Sequence, residues 1–390
     1  MNHAILPCQK RLFSLDENAH YLNCAYMSPL LRAVEAAGVA GIVRKRNPGA
    51  IQPRDFFAES DVLRQRFAEL INAPDPQRVA LIPSASYGIA IAARNVSTHP
   101  GQHVLIVHEQ FPSNVYAWQA LRNKGVGVKT VMPPERSRGR ARVWNERLLE
   151  AINRDTAVVA LGHVHWAHGT RFDLEAIGQR AREVGAALVI DGTQSVGALP
   201  FDVQQIQPDA LVCAGYKWLL GPYASGVAYF GPRFDGGEPL EQNWLLRLDS
   251  ENFSRLVAYE DQYQPGALRY DAGGRSNFIL VPMLIAALEQ LLEWGVEGVQ
   301  AYCRQLTQAF VTEARNLGYW VEEEGGRCAH LFGLRTPAGV DPVALSQALA
   351  AQNIFVSVRG DFIRVSPHLY NDERDFEALL DVLKRASSGV

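Results

Sequence analysis

Apolar residues along this chain gather in short blocks, most of them stopped by a glycine or a polar residue. Blocks of that length read as buried strands. They predict strands over 78–82, 103–108, 124–132, 158–161, 187–190, 210–214 and 226–230. Segments with helical spacing lie among them, at 29–46, 61–71, from 89 onward and at 173–183. A short strand over 20–23 comes before them all. Past residue 280 the pattern changes. A strongly apolar helix is predicted over 281–294 and an amphipathic one over 296–317. Strands at 319–322, 329–335, 354–359 and 362–365 and helices at 341–352 and 372–385 complete the chain. Strands alternating with helices make an α/β protein. The 390 residues suffice for a large domain and a smaller one. The expected division is an arm over 1–20, a large domain over 21–280 and a C-terminal α/β domain over 281–390, against which the N-terminal segment can pack.

Composition narrows the function mainly by exclusion. A net charge of −3 offers no electrostatic footprint for nucleic acid or an anionic membrane surface. No apolar run reaches the length of a membrane span, and the N-terminus lacks a secretory apolar stretch. The cytoplasm is the expected compartment. Cys8, Cys24, Cys213, Cys303 and Cys328 are scattered without a CxxC pair, so neither a metal site nor a disulfide framework is expected. His163, His165 and His168 are close in sequence but lack nearby carboxylate or thiol partners for a metal. The basic run over 136–142 reads as a solvated surface loop.

Chemistry concentrates between 186 and 230. Asp191 ends one apolar block, and Gly215-Tyr216-Lys217 ends the next. Ligands of α/β sheets collect at such strand ends. An amine and a carboxylate fixed there suit pyridoxal phosphate: the amine bonds to the cofactor aldehyde and the carboxylate keeps the ring nitrogen protonated. Upstream, Pro83-Ser84-Ala85-Ser86 joins a strand to a helix N-terminus, a place that favours an anion.

The motif from Asp191 through Gln194-Ser195 and Gly197, followed by DALVCAGYKWLLGP, resembles the core of class V aminotransferases, the fold type I pyridoxal-phosphate enzymes. Cysteine desulfurases, kynureninase and isopenicillin N epimerase-like proteins are in that group. The resemblance implies a large domain with a mixed, mostly parallel seven-stranded sheet flanked by helices, and a smaller C-terminal α/β domain. It implies that Lys217 forms the Schiff base and shuttles the Cα proton, that Asp191 pairs with the pyridine nitrogen and that Gln194 reaches the ring hydroxyl. Ala85 and Ser86 fall on the phosphate site, with Tyr216 nearby. Phe111, in Glu109-Gln110-Phe111-Pro112-Ser113-Asn114, takes the place of the ring stacked on the cofactor. Arg364 takes the place of the arginine that grips the substrate α-carboxylate, with Arg359 as a possible support. Ser276 and Asn277 lie on a loop that enters the neighbouring subunit's site, which implies a homodimer with shared active sites. Asn23 and Tyr26 are expected near substrate, and Arg54 is a weaker candidate. His165 and Trp166 stand where the family has Ser-Asn, a departure that alters the pocket. His163 is a candidate acid/base group.

The expected activity is attack at Cα or Cβ of a small amino acid, as an aminotransferase or a C–S or C–C lyase. No cysteine lies in the short segment 360–363 before Arg364, which argues against a persulfide-forming desulfurase. An isopenicillin N epimerase-like reaction is one alternative. A phosphate-binding α/β enzyme that uses Lys217 without pyridoxal phosphate is another. A non-catalytic pyridoxal-phosphate regulator is a third, although such regulators carry an added DNA-binding module for which the N-terminus leaves no room.

Overall fold

A computed structural model describes residues 6–135 and 139–388. Residues 136–138 of the basic run at 136–142 thus lie outside the described residues. The chain opens with β1 (His20–Tyr21), α1 (Arg32–Arg44) and α2 (Ala58–Leu70). The sheet segment follows as β2 (Val79–Ile82), α3 (Ala85–Asn95), β3 (His103–Val107), α4 (Ser113–Gln119), β4 (Gly127–Val131), α5 (Arg140–Ala151), β5 (Thr156–Gly162), α6 (Leu174–Val184), β6 (Ala187–Asp191), α7 (Val203–Ile206), β7 (Ala210–Ala214) and β8 (Gly226–Phe230). The remainder is α8 (Leu280–Trp294), α9 (Val296–Asn316), β9 (Phe332–Arg335), α10 (Pro342–Ala350), β10 (Ile354–Phe355), β11 (Ser357–Arg359), β12 (Phe362–Val365) and α11 (Glu373–Ser388).

The seven strands β2 to β8 form one sheet in the order β2-β8-β7-β6-β5-β3-β4. Only β8 runs against the others, pairing antiparallel with β2 and β7. The carboxyl ends of six strands and the amino end of β8 therefore share one edge. Alternation along each strand feeds two cores. Leu105, Val107, Val159, Leu161, Leu188, Ile190 and Leu211 enter one. Val104, Ile106, Val158, Ala160, Val189 and Val212 enter the other. Burial of both faces explains why the strands read as unbroken apolar blocks. Helix starts are set locally: the Asp173 side chain accepts from Ala176 N at 3.1 Å ahead of α6, and Gly185 closes that helix in the left-handed region at φ 79°.

The C-terminal region has its own core, including Phe310, Leu334, Leu349, Ile363 and Leu379, around the antiparallel sheet β11-β12-β9. Three expectations change here. The segment at 319–322 contributes only an isolated antiparallel bridge, Trp320 to Arg335, the last residue of β9. The strand expected over 354–359 splits in two. β10 pairs in parallel with β1, whereas β11 turns to pair with β12. The basic run is not wholly surface: Arg140 starts α5 buried, donating to Glu322 at 2.9 Å and to Thr170 Oγ1 at 3.0 Å.

Candidate active site at the shared strand edge

One pocket of about 300 Å³ opens on the edge where the strand ends meet. Ser84 to Ser86 reach it from the end of β2, and Gln110 and Phe111 from beyond β3. His165 and Trp166 come from beyond β5, Asp191 to Gln194 from β6, Tyr216 and Lys217 from β7, and Tyr223 to Ser225 from the approach to β8. Gly215 lets the last two segments close up: its N–H donates to Ser225 O at 2.8 Å, and a Cβ there would lie 2.8 Å from that oxygen. Leu220 and Ala224, both non-glycine with positive φ, bend the chain between them.

Lys217 is 7% exposed. Its amine lies 5.5 Å from the centroids of both the Phe111 and Tyr216 rings, and the described residues offer it no ion pair. Burial, and then the Arg364 charge, lower its pKa from 10.5 to about 8. Asp191 turns one carboxylate oxygen to Thr193 N at 3.0 Å and makes no ion pair among the described residues. Burial raises its pKa, opposed by the Thr193 hydrogen bonds and by Lys217. The Ser84 hydroxyl caps α3, accepting from Tyr87 N at 3.3 Å, and lies 2.9 Å from the Ser86 hydroxyl. Behind that cap the N–H groups of Ala85 and Ser86 precede any intrahelical partner.

These features fit pyridoxal phosphate. A helix N-terminus with two serines suits its phosphate, a carboxylate without a counter-ion suits its ring nitrogen, and an unpaired amine suits its aldehyde. Phe111 is 37% exposed and touches Trp166 edge-on at 5.4 Å, so one face of its ring is open to a planar neighbour. Gln194 is more committed than expected: its Nε2 donates to Ala25 O at 3.2 Å and its Oε1 accepts from Trp218 at 2.9 Å, leaving one amide hydrogen for a ligand.

Other candidates divide sharply. Arg364 is 1% exposed, and Lys217 feels its charge. One of its nitrogens donates to Trp166 O at 3.0 Å, while Nε and Nη2 have no partner. Tyr26 is exposed and close enough to influence Arg359 and Tyr216. Asn23 is a correction. Its side chain accepts from Ser357 Oγ at 2.8 Å and reaches toward Val356 O, linking the N-terminal segment to β11 instead of facing the pocket. His163 is another. It lies in a separate groove with Phe201 and Arg171, because the turn after β5 sends it to the side opposite His165. Burial lowers its pKa to about 3, so the imidazole is uncharged near neutral pH.

His165 lines the pocket, but its Nε2 donates to His108 O at 3.0 Å, and it stacks on His168 at 3.7 Å. Its pKa is also lowered to about 3 by burial. The three histidines therefore do not converge, and no cluster of metal-ligating side chains occurs among the described residues. Ser276 donates to Phe56 O, and Asn277 accepts from Ile279 N and Leu280 N at the start of α8. Neither lines the pocket of its own chain. Arg54 lies in an exposed turn. Ser84 lies in the segment expected to favour an anion, whereas Thr193 and Ser225 line the pocket without a local sequence signal.

Comparison with known proteins agrees with this arrangement. Residues 54–379 match the family described as Aminotransferase class-V. An uncharacterized aminotransferase, YcbU, of Bacillus subtilis (strain 168) is 26% identical over 336 residues, covering 84% of each chain. Isopenicillin N epimerase of Amycolatopsis lactamdurans is 26% identical over 398 residues, covering 96% of each. The cysteine desulfurase CsdA of Escherichia coli superposes with a TM-score of 0.83 at 20% identity, covering 100% of both chains, which shows a shared fold of type I.

Proposed function

The chain belongs to the aminotransferase class-V family, with pyridoxal 5'-phosphate as its cofactor, and we propose that it transforms a small amino acid at Cα or Cβ as an aminotransferase or a C–S or C–C lyase. The observation that carries this reading is the unpaired Lys217 amine, which shares the pocket with Asp191 and lies within the electrostatic reach of Arg364. When bound, the cofactor supplies the electron sink for bond breaking at Cα. Lys217 is the proton carrier at Cα, and a pKa near 8 lets it both accept and return a proton near neutral pH. Arg364 donates its two free N–H groups to the substrate α-carboxylate, a planar fork that lysine cannot copy. Asp191 holds the proton at the ring nitrogen. Phe111 and Trp166 cover the reacting centre from water.

A persulfide-forming desulfurase is disfavoured. No cysteine lines the pocket. Cys24 is close enough to influence Lys217, but it is fully buried and its thiol is pushed up to about 12 by burial. An epimerase that uses a second proton carrier would not find it in His165, whose Nε2 is bonded to His108 O and whose ring is uncharged.

On this reading residues 21–280 carry the lysine and 281–390 the arginines, and the chain works in the cytoplasm. A homodimer is supported by Val39, Ile42 and Val43, exposed together on α1, and by the Ser276-Asn277 loop, which is turned away from its own pocket. No described helix is long and apolar enough to cross a membrane.

The test is spectroscopic. Purified protein is expected to show a cofactor band that Lys217→Ala removes. Among amino and keto acids, conversion to the pyridoxamine form identifies an aminotransferase, and release of pyruvate or sulfide identifies a lyase. An unchanged spectrum and no turnover with every amino acid would leave the regulator reading standing and overturn this one.

A further inference from the structure

The β11–β12 hairpin carries two arginines whose placement Arg364 alone does not explain. Ser357 faces Arg364 across the pair, and Arg359 faces Phe362. Side chains alternate along a strand, so Arg359, Phe362 and Arg364 project from one face. Arg359 and Arg364 are diagonal neighbours, with backbones roughly 7–8 Å apart.

Trp166 holds both. Its carbonyl accepts from Arg364 at 3.0 Å, and its indole lies under the Arg359 guanidinium at 5.4 Å. The indole is itself fixed, donating from Nε1 to Glu109 O at 2.7 Å and meeting Phe111 edge-on. Arg359 thus sits on an aromatic platform supplied by Trp166, a residue of the pocket wall. Its described hydrogen bond goes only to the adjacent carbonyl of Val358, at 2.7 Å, and its Nε is buried without a partner. Neither arginine has an ion pair among the described residues, and the pocket wall offers no carboxylate besides Asp191. Keeping two cations close together and partly desolvated is costly, and one α-carboxylate neutralises only one of them.

We propose that Arg359 and Arg364, on one face of this hairpin and both held by Trp166, form a two-point clamp that selects an amino acid whose side chain ends in an anionic group. This rests on the reading that Arg364 receives the α-carboxylate. Arg359 then determines specificity and Trp166 is a positioning residue. The recognised chemistry is a compact oxyanion, which a carboxylate or a sulfinate can supply.

Binding is tested first, on the full-length holoenzyme, by calorimetry with succinate and butyrate as non-reactive probes. Succinate is expected to bind on the order of 10- to 100-fold more tightly, as an added charge-assisted contact gives. Arg359→Gln is expected to bring the succinate-to-butyrate ratio to about one, and Arg359→Lys to restore part of it. A matching panel of aspartate, glutamate, cysteine sulfinate and alanine reads the same ratio in KM and separates the carboxylate source from the sulfinate. Trp166→Leu is expected to reduce the preference, with Trp166→Phe restoring much of it, a pattern that loss of fold would not produce. Equal binding of succinate and butyrate by the parent protein, or a ratio unchanged in Arg359→Gln, overturns the clamp. Failure of the underlying reading looks different, because then neither probe binds and no amino acid alters the cofactor spectrum.

Discussion

Two pairs of arginines in this molecule, three of the four side chains buried and Arg359 half-buried, have opposite surroundings. Arg64 and Arg275 share the carboxylate of Asp271. That carboxylate is 1% exposed, and it also accepts from Leu81 N at 2.8 Å, tying α2, β2 and the loop ahead of α8 together. Arg364 is as deeply buried as Arg64, at 1% against 2%, yet it and Arg359 meet only carbonyls and a ring. A buried charge balanced within the chain serves architecture. One left unbalanced beside a pocket-lining residue, as Arg359 and Arg364 are beside Trp166, serves whatever enters the pocket. Burial alone does not tell the two apart; the counter-charge does.

The largest effect should come from breaking the balanced pair. Asp271→Ala leaves Arg275 without a counter-ion and Arg64 with only the exposed Asp61 carboxylate at 3.6 Å, and is expected to cost about 3–5 kcal/mol in a denaturant melt. A loss under about 1 kcal/mol would erase the distinction. Arg364→Gln should do the reverse. Its melt is expected to match or exceed that of the parent, while kcat/KM falls on the order of 100-fold, the worth of about 3 kcal/mol of charged hydrogen bonds.

Next is the pH response of Lys217. Its pKa in the fold is lowered from 10.5 to about 8. The rate at which cofactor-free protein takes up pyridoxal phosphate should therefore rise about tenfold per pH unit below 8 and level off above it, followed by absorbance. The linked sign agrees: between pH 8 and 10.5 the unfolded chain binds the proton that the folded chain lacks, so cofactor-free protein gains stability as pH rises through that window. A pH-independent uptake rate would place the amine outside the desolvated pocket. Smallest is Cys24→Ala, whose turnover should stay within about twofold, since the thiol is buried and protonated. Loss of turnover together with loss of sulfide release would return the desulfurase reading.

Much of the sheet was legible because both its faces are buried, which turns each strand into an apolar block that ends where the chemistry begins. Lys217 and Asp191 stand out for that reason. What escaped depends on contacts distant in sequence. Arg140 sits in a basic run that reads as surface, and Thr170 and Glu322, 30 and 182 residues on, hold it in the interior. His163 and His165 look equivalent on the page, but the turn after β5 sends them to different cavities. The hold of Trp166 on Arg364 spans 198 residues, beyond any local pattern. Sequence periodicity shows which face is buried, not which partner is waiting there.

The pairing of β1 with β10 has a consequence in time. His20 and Tyr21 find their strand partners only in Ile354 and Phe355, and His20 meets Asp375 at 2.7 Å. A ribosome adding roughly 5–20 residues per second makes Lys217 on the order of ten seconds before Arg364. The nascent chain thus carries its reactive amine and the strands around it before the residues that grip a substrate exist. Its opening segment, meanwhile, must wait for nearly the whole of translation to find its place.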